Sequence, residues 1–192
     1  KQGYALAQAA VDAGAKEVIL VSTRDDLPVP IGVTRVPVDS AQEMQNAILT
    51  HSEFADVLVM AAAVADFRPV QIATQKIKKQ ANDNGLRIDL APNADILLEV
   101  KKQRARNGSP RVTVGFAAES QDLVANAERK LQKKGLDFIV ANDITASDAG
   151  FAVDNNRAVI IDRDGVHPLD LISKTRLSEH IMTRIATRLE SP

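Results

Sequence analysis

Cysteine and tryptophan are absent from the sequence, and tyrosine occurs once. Without cysteine there is no disulfide framework, no thiolate zinc site and no cysteine nucleophile. Histidine is almost as scarce: His51, His167 and His180 lie far apart and share no metal-ligand spacing. Neither sign of charge is in excess, since 24 Lys and Arg stand against 25 Asp and Glu. A balance of −1 argues against a dedicated nucleic-acid binder, which is usually clearly basic. No apolar run nears the roughly 20 residues of a membrane-spanning helix, and no signal peptide precedes the first helical pattern. The cytoplasm is the expected location, with neither membrane nor nucleic acid as partner. The G-x-G-x-x-G, G-x-x-x-x-G-K-[ST] and G-x-S-x-G patterns are missing too. Dehydrogenase, P-loop and hydrolase readings thereby lose their usual support.

What remains is 192 residues, 45% hydrophobic and 26% charged, enough for one soluble domain with a real core. Two kinds of segment alternate along it. Residues 17–21, 56–60, 111–116 and 136–140 are short, β-branched-rich and apolar on both parities. That is the pattern of strands buried on both faces of a parallel sheet. Between them lie helical patterns over 4–13, 40–49, 95–106 and 122–134, and a last one over 175–189. Ser40 with Glu43 reads as a capping box, Asn93 as a candidate cap, and Gly14 and Gly135 as stops. Leu177, Ile181, Ile185 and Leu189 form one stripe on the last helix. The alternation predicts βαβ units and an α/β, Rossmann-like three-layer sandwich with a mainly parallel sheet.

Two hairpins interrupt it. Asn84-Gly85 joins the alternating stretches 76–80 and 86–90, which predicts an antiparallel arm projecting from the sheet. The second pairs 157–162 with 166–169 around Asp164-Gly165. Lys1-Gln2-Gly3 runs straight into a helix, so the first strand of such a fold, with its phosphate-binding turn, is expected to be missing.

Any nucleotide site must then come from other loops at the strand ends. Residues 61–69, Ala-Ala-Ala-Val-Ala-Asp-Phe-Arg-Pro, follow a strand. Small residues there let a ligand approach the backbone, and Asp66 can accept from ribose hydroxyls or help hold a metal. Tight alanine packing and a turn cap explain the segment slightly better when it is read alone. Lys76, Lys78 and Lys79 suit a polyphosphate, but on spacing alone a lysine-protected edge strand explains them better. Phe116, where the strand 111–116 gives way to a helix, is a base-stacking ring or an ordinary core ring. Lys130 and Lys134 share a helix face, either toward phosphate oxygens or as a solvated last turn. Ala141-Asn142-Asp143 and the loop from Gly150-Phe151 to Asp154-Asn155-Asn156 are rim residues or plain turn formers.

Their order is more informative than any one of them. Ala-Ala-Val-Ala-Asp-Phe (62–67), Lys-Ile-Lys-Lys (76–79), Asn-Ala-Asp-Ile-Leu (93–97), Gly-Phe-Ala-Ala-Glu (115–119), Lys130, Lys134 and Ala-Asn-Asp (141–143) occur in one chain. Together they closely resemble bacterial phosphopantothenoylcysteine synthetase, over almost the whole length. The resemblance implies a single ligase domain over 1–192, truncated at its amino end and often fused behind a flavin-dependent decarboxylase. It implies ligation of 4′-phosphopantothenate to L-cysteine through an acyl-cytidylate, with CTP as co-substrate, magnesium with the triphosphate, and no flavin in this domain. By the same resemblance, the Ala61, Ala62 and Ala63 backbone and Phe116 border the nucleotide, with Asp66 at its ribose or base. Lys76 touches the triphosphate and assists activation. Asn93, Ala94, Asp95 and Ile96 line the nucleotide, with Ala94 where the family has proline. Lys130 and Lys134 lie near the phosphates, and the arm pairs with a second subunit in a homodimer. The metal ligands are not specified. The family's amino-terminal loop, with its asparagine and serines, is absent except for Lys1-Gln2-Gly3, and ligation by this chain is expected to be impaired. A noncatalytic nucleotide-binding dimerisation domain is the competing reading, and an NAD-linked oxidoreductase a weaker one.

Overall fold

The computed structural model describes residues 1–78, 85–119, 122–143, 155–156 and 158–190. In chain order the elements are α1 (Gln2–Asp12), β1 (Val18–Ser22), β2 (Val33–Pro37), α2 (Ala41–Ser52), β3 (Val57–Met60), β4 (Phe67–Pro69), β5 (Leu90–Pro92) and α3 (Ile96–Asn107). They continue with β6 (Val112–Glu119), α4 (Leu123–Lys134), β7 (Phe138–Asp143), β8 (Asn155–Asn156), β9 (Ala158–Asp162), β10 (Gly165–Pro168), β11 (Ile172–Ser173) and α5 (Lys174–Glu190).

The main sheet has the order β10-β9-β7-β6-β3. β3, β6 and β7 are parallel, and the β9–β10 hairpin adds antiparallel strands beyond β7. Side chains alternate across it with the period of two that a strand imposes. On one face Val112, Val114, Phe138, Val140, Ala158 and Ile160 pack with Leu6 of α1 and with Leu177, Ile181 and Ile185 of α5. On the other, Ala117, Ile139, Ala141 and Ile161 pack with Met44 and Ile48 of α2, Ile96, Leu97 and Val100 of α3, and Ala127 of α4. The molecule is therefore an α/β three-layer sandwich, α2–α4 on one side and α1 with α5 on the other, as the alternation predicts. Gln2 helps join the last two by donating to Ser178 Oγ at 2.9 Å.

Local signals place most helix ends. Ser40 Oγ accepts from the Glu43 amide, while the Glu43 carboxylate reaches back to the Asp39 amide at 2.8 Å. That is a capping box displaced by one residue, and donation from the Asp39 amide, then from the Ser40 side chain, holds the Glu43 carboxyl below its ordinary pKa. Gly135 ends α4 in the left-handed conformation at φ 63°.

Other expectations need correction. Asp95, not Asn93, caps α3, accepting from the Leu98 amide; Asn93 is drawn away by bonds to the 61–66 loop. β6 runs on to Glu119, and residues 141–143 belong to β7, because the two strands keep pairing up to Glu119↔Asp143. β2 is a strand with no expectation behind it, its five residues VTRVP being too short and mixed in character to stand out. In the arm the paired residues are 67–69 with 90–92, extended by the Val70 amide donating to the Asp89 carbonyl. Residues 76–78 and 85–89 form no strand, and the rest of the expected hairpin, 79–84, lies outside the described residues. In the second hairpin Gly165 pairs with Asp162, so residues 163–164 make the turn.

β1 and β2 form a separate two-stranded parallel sheet. Among the described residues no ladder joins β1 to β3. Val21 of β1 still packs against the same core as Leu58 of β3. All of β1 and most of β3 are only half-buried, although both are apolar on both faces.

Candidate functional site

The site is built where the parallel strands end at their carboxyl edges, the usual ligand-binding edge of an open α/β sheet. Period-two alternation puts Ala61, just past β3, on the α1–α5 side, where Phe116 also packs. Both are half-buried, whereas Ala62, Ala63 and Asp66 are exposed. A backbone of small residues beside a half-covered ring is thus presented at the end of β3.

A second loop is tied to the first. The Asn93 amide donates to the Asp66 carbonyl at 2.8 Å, and Asn93 Nδ2 donates to the Ala65 carbonyl at 2.8 Å. Arg68 Nη1 donates to the Pro92 carbonyl at 2.6 Å and to Asn93 Oδ1 at 3.2 Å. Ala94 is exposed, and Asp95 follows as the α3 cap. Ile96 is buried in the core, so only its backbone is left for a ligand. As the first residue of α3, its N–H is one of the donors a helix start leaves unpaired.

The second oxygen of Asp95 meets Lys134 Nζ at 3.1 Å, with both side chains partly buried. This ion pair links the end of α4 to the start of α3 and brings a lysine to the same loop. Lys130, one turn earlier on that face, is half-buried and engaged in interactions of its own. Lys76 and Lys78 are exposed on the segment between β4 and β5. Lys79 and the residues of 150–154 lie outside the described residues. Hydrogen bonds therefore tie Asn93 to Ala65 and Asp66, an ion pair ties Asp95, two residues on, to Lys134, and Ala61 and Phe116 share one sheet face. Lys76 makes no hydrogen bond or ion pair among the described residues.

Arg68 escaped the sequence reading, and Asn142 stood in it only as a rim residue or turn former. Arg68 carries the contact between the loops, and nothing in a lone arginine after Asp-Phe announces that. Asn142 Oδ1, near the end of β7, is buried without a donor among the described residues. By parity Asn142 projects on the side of Ala61 and Phe116.

Among the described residues no group of three His, Asp or Glu side chains forms a metal site. No helix of the described residues is long and apolar enough to cross a membrane. A second charged cluster sits at the other end of the sheet, since Asp162 pairs with Phe138 at the start of β7. There a fully buried Asp162 side chain accepts from Arg184 and Arg188 of α5, from the Asp164 amide, and faces His167 at 3.3 Å. Burial alone raises its pKa; the Asp164 amide and the two guanidiniums overcome that and hold it at about 2.

The family model described as "DNA/pantothenate metabolism flavoprotein C-terminal domain" matches residues 1–189. The chain belongs to this family. It is 43% identical over 187 residues to the coenzyme A biosynthesis bifunctional protein CoaBC of Vibrio vulnificus, a match covering 97% of the chain and 46% of the relative. With the CoaBC of Bacillus subtilis the identity is 42% over 188 residues, covering 97% and 45%. The chain thus spans less than half the length of these relatives. Its fold matches the crystal structure of the C-terminal domain of CoaBC at TM-score 0.80 and 34% identity, over 100% of this chain and 83% of that one. A Cab2 variant in complex with phosphopantothenate-cysteine shares the fold at TM-score 0.64 and 14% identity, over 82% of this chain and 54% of that one.

Proposed function

We propose that this domain is the phosphopantothenate–cysteine ligase of coenzyme A biosynthesis, using CTP to activate the acid. Membership of the family and the relatives' description as coenzyme A biosynthesis proteins support the pathway. The observation that carries the site is the lysine–carboxylate–loop junction at the sheet's carboxyl edge, where Lys134 meets Asp95 beside a loop of alanines.

In this reading a carboxylate oxygen of 4′-phosphopantothenate attacks the α-phosphorus of CTP, the bond to the bridging oxygen breaks, and pyrophosphate leaves. The cysteine amine then attacks the acyl carbon, the acyl–oxygen bond breaks, CMP departs, and the amine gives up a proton. Neither step needs a protein nucleophile. Both need positioning and positive charge where negative charge develops. The backbone of 61–63 and the Phe116 ring take the base, and Asp66 accepts from the ribose. Lys76 neutralises the leaving pyrophosphate. Lys134, released from Asp95 when phosphate arrives, and Lys130 hold the remaining oxygens. A magnesium ion accompanying the triphosphate would neutralise phosphate charge and would need only one or two protein carboxylates, Asp66 being the exposed one in this loop.

The arm supports a second part of the proposal, a homodimer. Phe67, Val70, Ile72, Ile77, Leu86, Ile88 and Leu90 are large, apolar and exposed within one segment, Ile72 to 86%. A patch of that kind is an interaction surface, and a second copy is its occupant here. Fusion to a flavin-dependent decarboxylase belongs to the same reading, given the length of the relatives.

The test is Lys76→Ala. The variant should keep its far-ultraviolet circular dichroism and lose cysteine-dependent CMP release by about a hundredfold or more, the scale of losing one preorganised charge. Undiminished turnover removes Lys76 from the mechanism. A thermal shift with CTP but no CMP from the unaltered chain favours the noncatalytic nucleotide-binding reading.

A further inference from the structure

We propose that Arg68 is a positioning residue: it latches the 61–66 and 93–95 loops into one geometry and thereby sets the affinity of the site for a nucleoside triphosphate. The inference rests on the reading that this edge binds CTP. Arg68 lies on β4 opposite Ala91 of β5, and its guanidinium crosses to the next residues along, Pro92 and Asn93. A guanidinium only donates, and the Ala65 carbonyl only accepts. With Arg68 on Oδ1 and Ala65 on Nδ2, the Asn93 amide has one orientation that satisfies both sides. The same residue's backbone N–H holds the Asp66 carbonyl. Arg68 thus fixes the side chain that fixes the loop.

Nothing covalent does this work. Residue 94 is alanine, whose φ is free where a proline ring would restrict both its own φ and the residue before it. Arg68 is exposed, so removing its donors leaves the core intact. The consequence falls on the fraction of molecules with both loops in the binding geometry, and apparent affinity falls with that fraction.

Arg68→Met keeps the length of the side chain and removes its donors. CTP binding by calorimetry should weaken about tenfold, and the Asn93 amide should exchange with deuterium correspondingly faster. Adding Ala94→Pro should recover most of the CTP affinity, because the ring presets the loop that the latch held. Arg68→Lys keeps the charge but not the fork, and should recover little of either signal. Unchanged exchange at Asn93 in Arg68→Met overturns the latch, and so does full recovery of CTP affinity by Arg68→Lys without recovered protection, which would make Arg68 a plain attracting charge. If the unaltered protein fails to bind CTP, the nucleotide reading falls, while the exchange measurement still decides whether the latch exists.

Discussion

Asp162 shows how much one carboxylate organises at the far end of the sheet from the proposed site. Its side chain is wholly buried, yet the Asp164 amide from the β9–β10 turn and the Arg184 and Arg188 guanidiniums of α5 donate to it, beside the His167 ring of β10. Removing one partner from such a cluster leaves charge unpaired in a low-dielectric setting. Asp162→Asn should therefore destabilise the fold by about 2–3 kcal/mol, read as a lower midpoint in urea at neutral pH. The pKa is depressed from 3.8 to about 2, so the stabilisation is fully present above 3.8 and is lost as pH falls through about 2. The two proteins should converge in stability at the acid end of that window. A difference that persists unchanged below it would mean that packing, not charge, is responsible. Single residues of this kind are poorly legible in sequence. Asp162, Arg184 and Arg188 are ordinary letters until β9 and α5 bring them together.

At the scale of elements, glycine separates what sequence can and cannot reveal. Gly135 stops α4 for a local reason, the left-handed turn, and the sequence announces it. Gly115 matters for a reason that no local pattern carries. A Cβ built there would stand 2.6 Å from Leu136 Cδ1, with Leu97 and Ile139 close behind. The Leu136 side chain, from the turn between α4 and β7, lies against β6 at that point, on the face covered by α3. Gly115→Val should destabilise by about 1–3 kcal/mol through overpacking, and Leu136→Ala introduced with it should return part of the loss. If Gly115→Val leaves the midpoint unchanged, Leu136 has another rotamer available and the glycine is not required. The helices were largely readable because caps and stripes are local. The arm was legible only in part: its described pairing joins 67–69 to 90–92, and the rest of the expected hairpin, 79–84, lies outside the described residues.

Among the described residues a run of exposed apolar side chains lies along the segment between Phe67 and Leu90, with others, such as Ile31 and Phe54, scattered elsewhere. An isolated two-stranded ribbon is at best marginal in water, so a partner that covers it has a physical reason to be there. Ile72→Asp with Ile77→Asp should convert a dimer to a monomer by sedimentation velocity, with the circular dichroism of the sandwich retained. A monomeric unaltered protein across micromolar concentrations would remove that surface from the proposal. The parting of the sheet between β1 and β3 belongs to this scale as well. Two apolar strands share a core through Val21 and Leu58, yet among the described residues no ladder joins them, and both stay largely half-buried.

The amino-acid sequence by itself determined the alternation of buried strands and amphipathic helices, the capped helix ends and the order of candidate site segments. Each of these depends on neighbours within a few residues, where periodicity and backbone preference act. Tertiary structure alone decided that Asp95 holds Lys134, that Arg68 orients Asn93, and that the ribbon pairs at residues 67–69 and 90–92. Those contacts join groups far apart along the chain. Their geometry follows from how the sheet and its two helix layers close on each other, and no local signal encodes it.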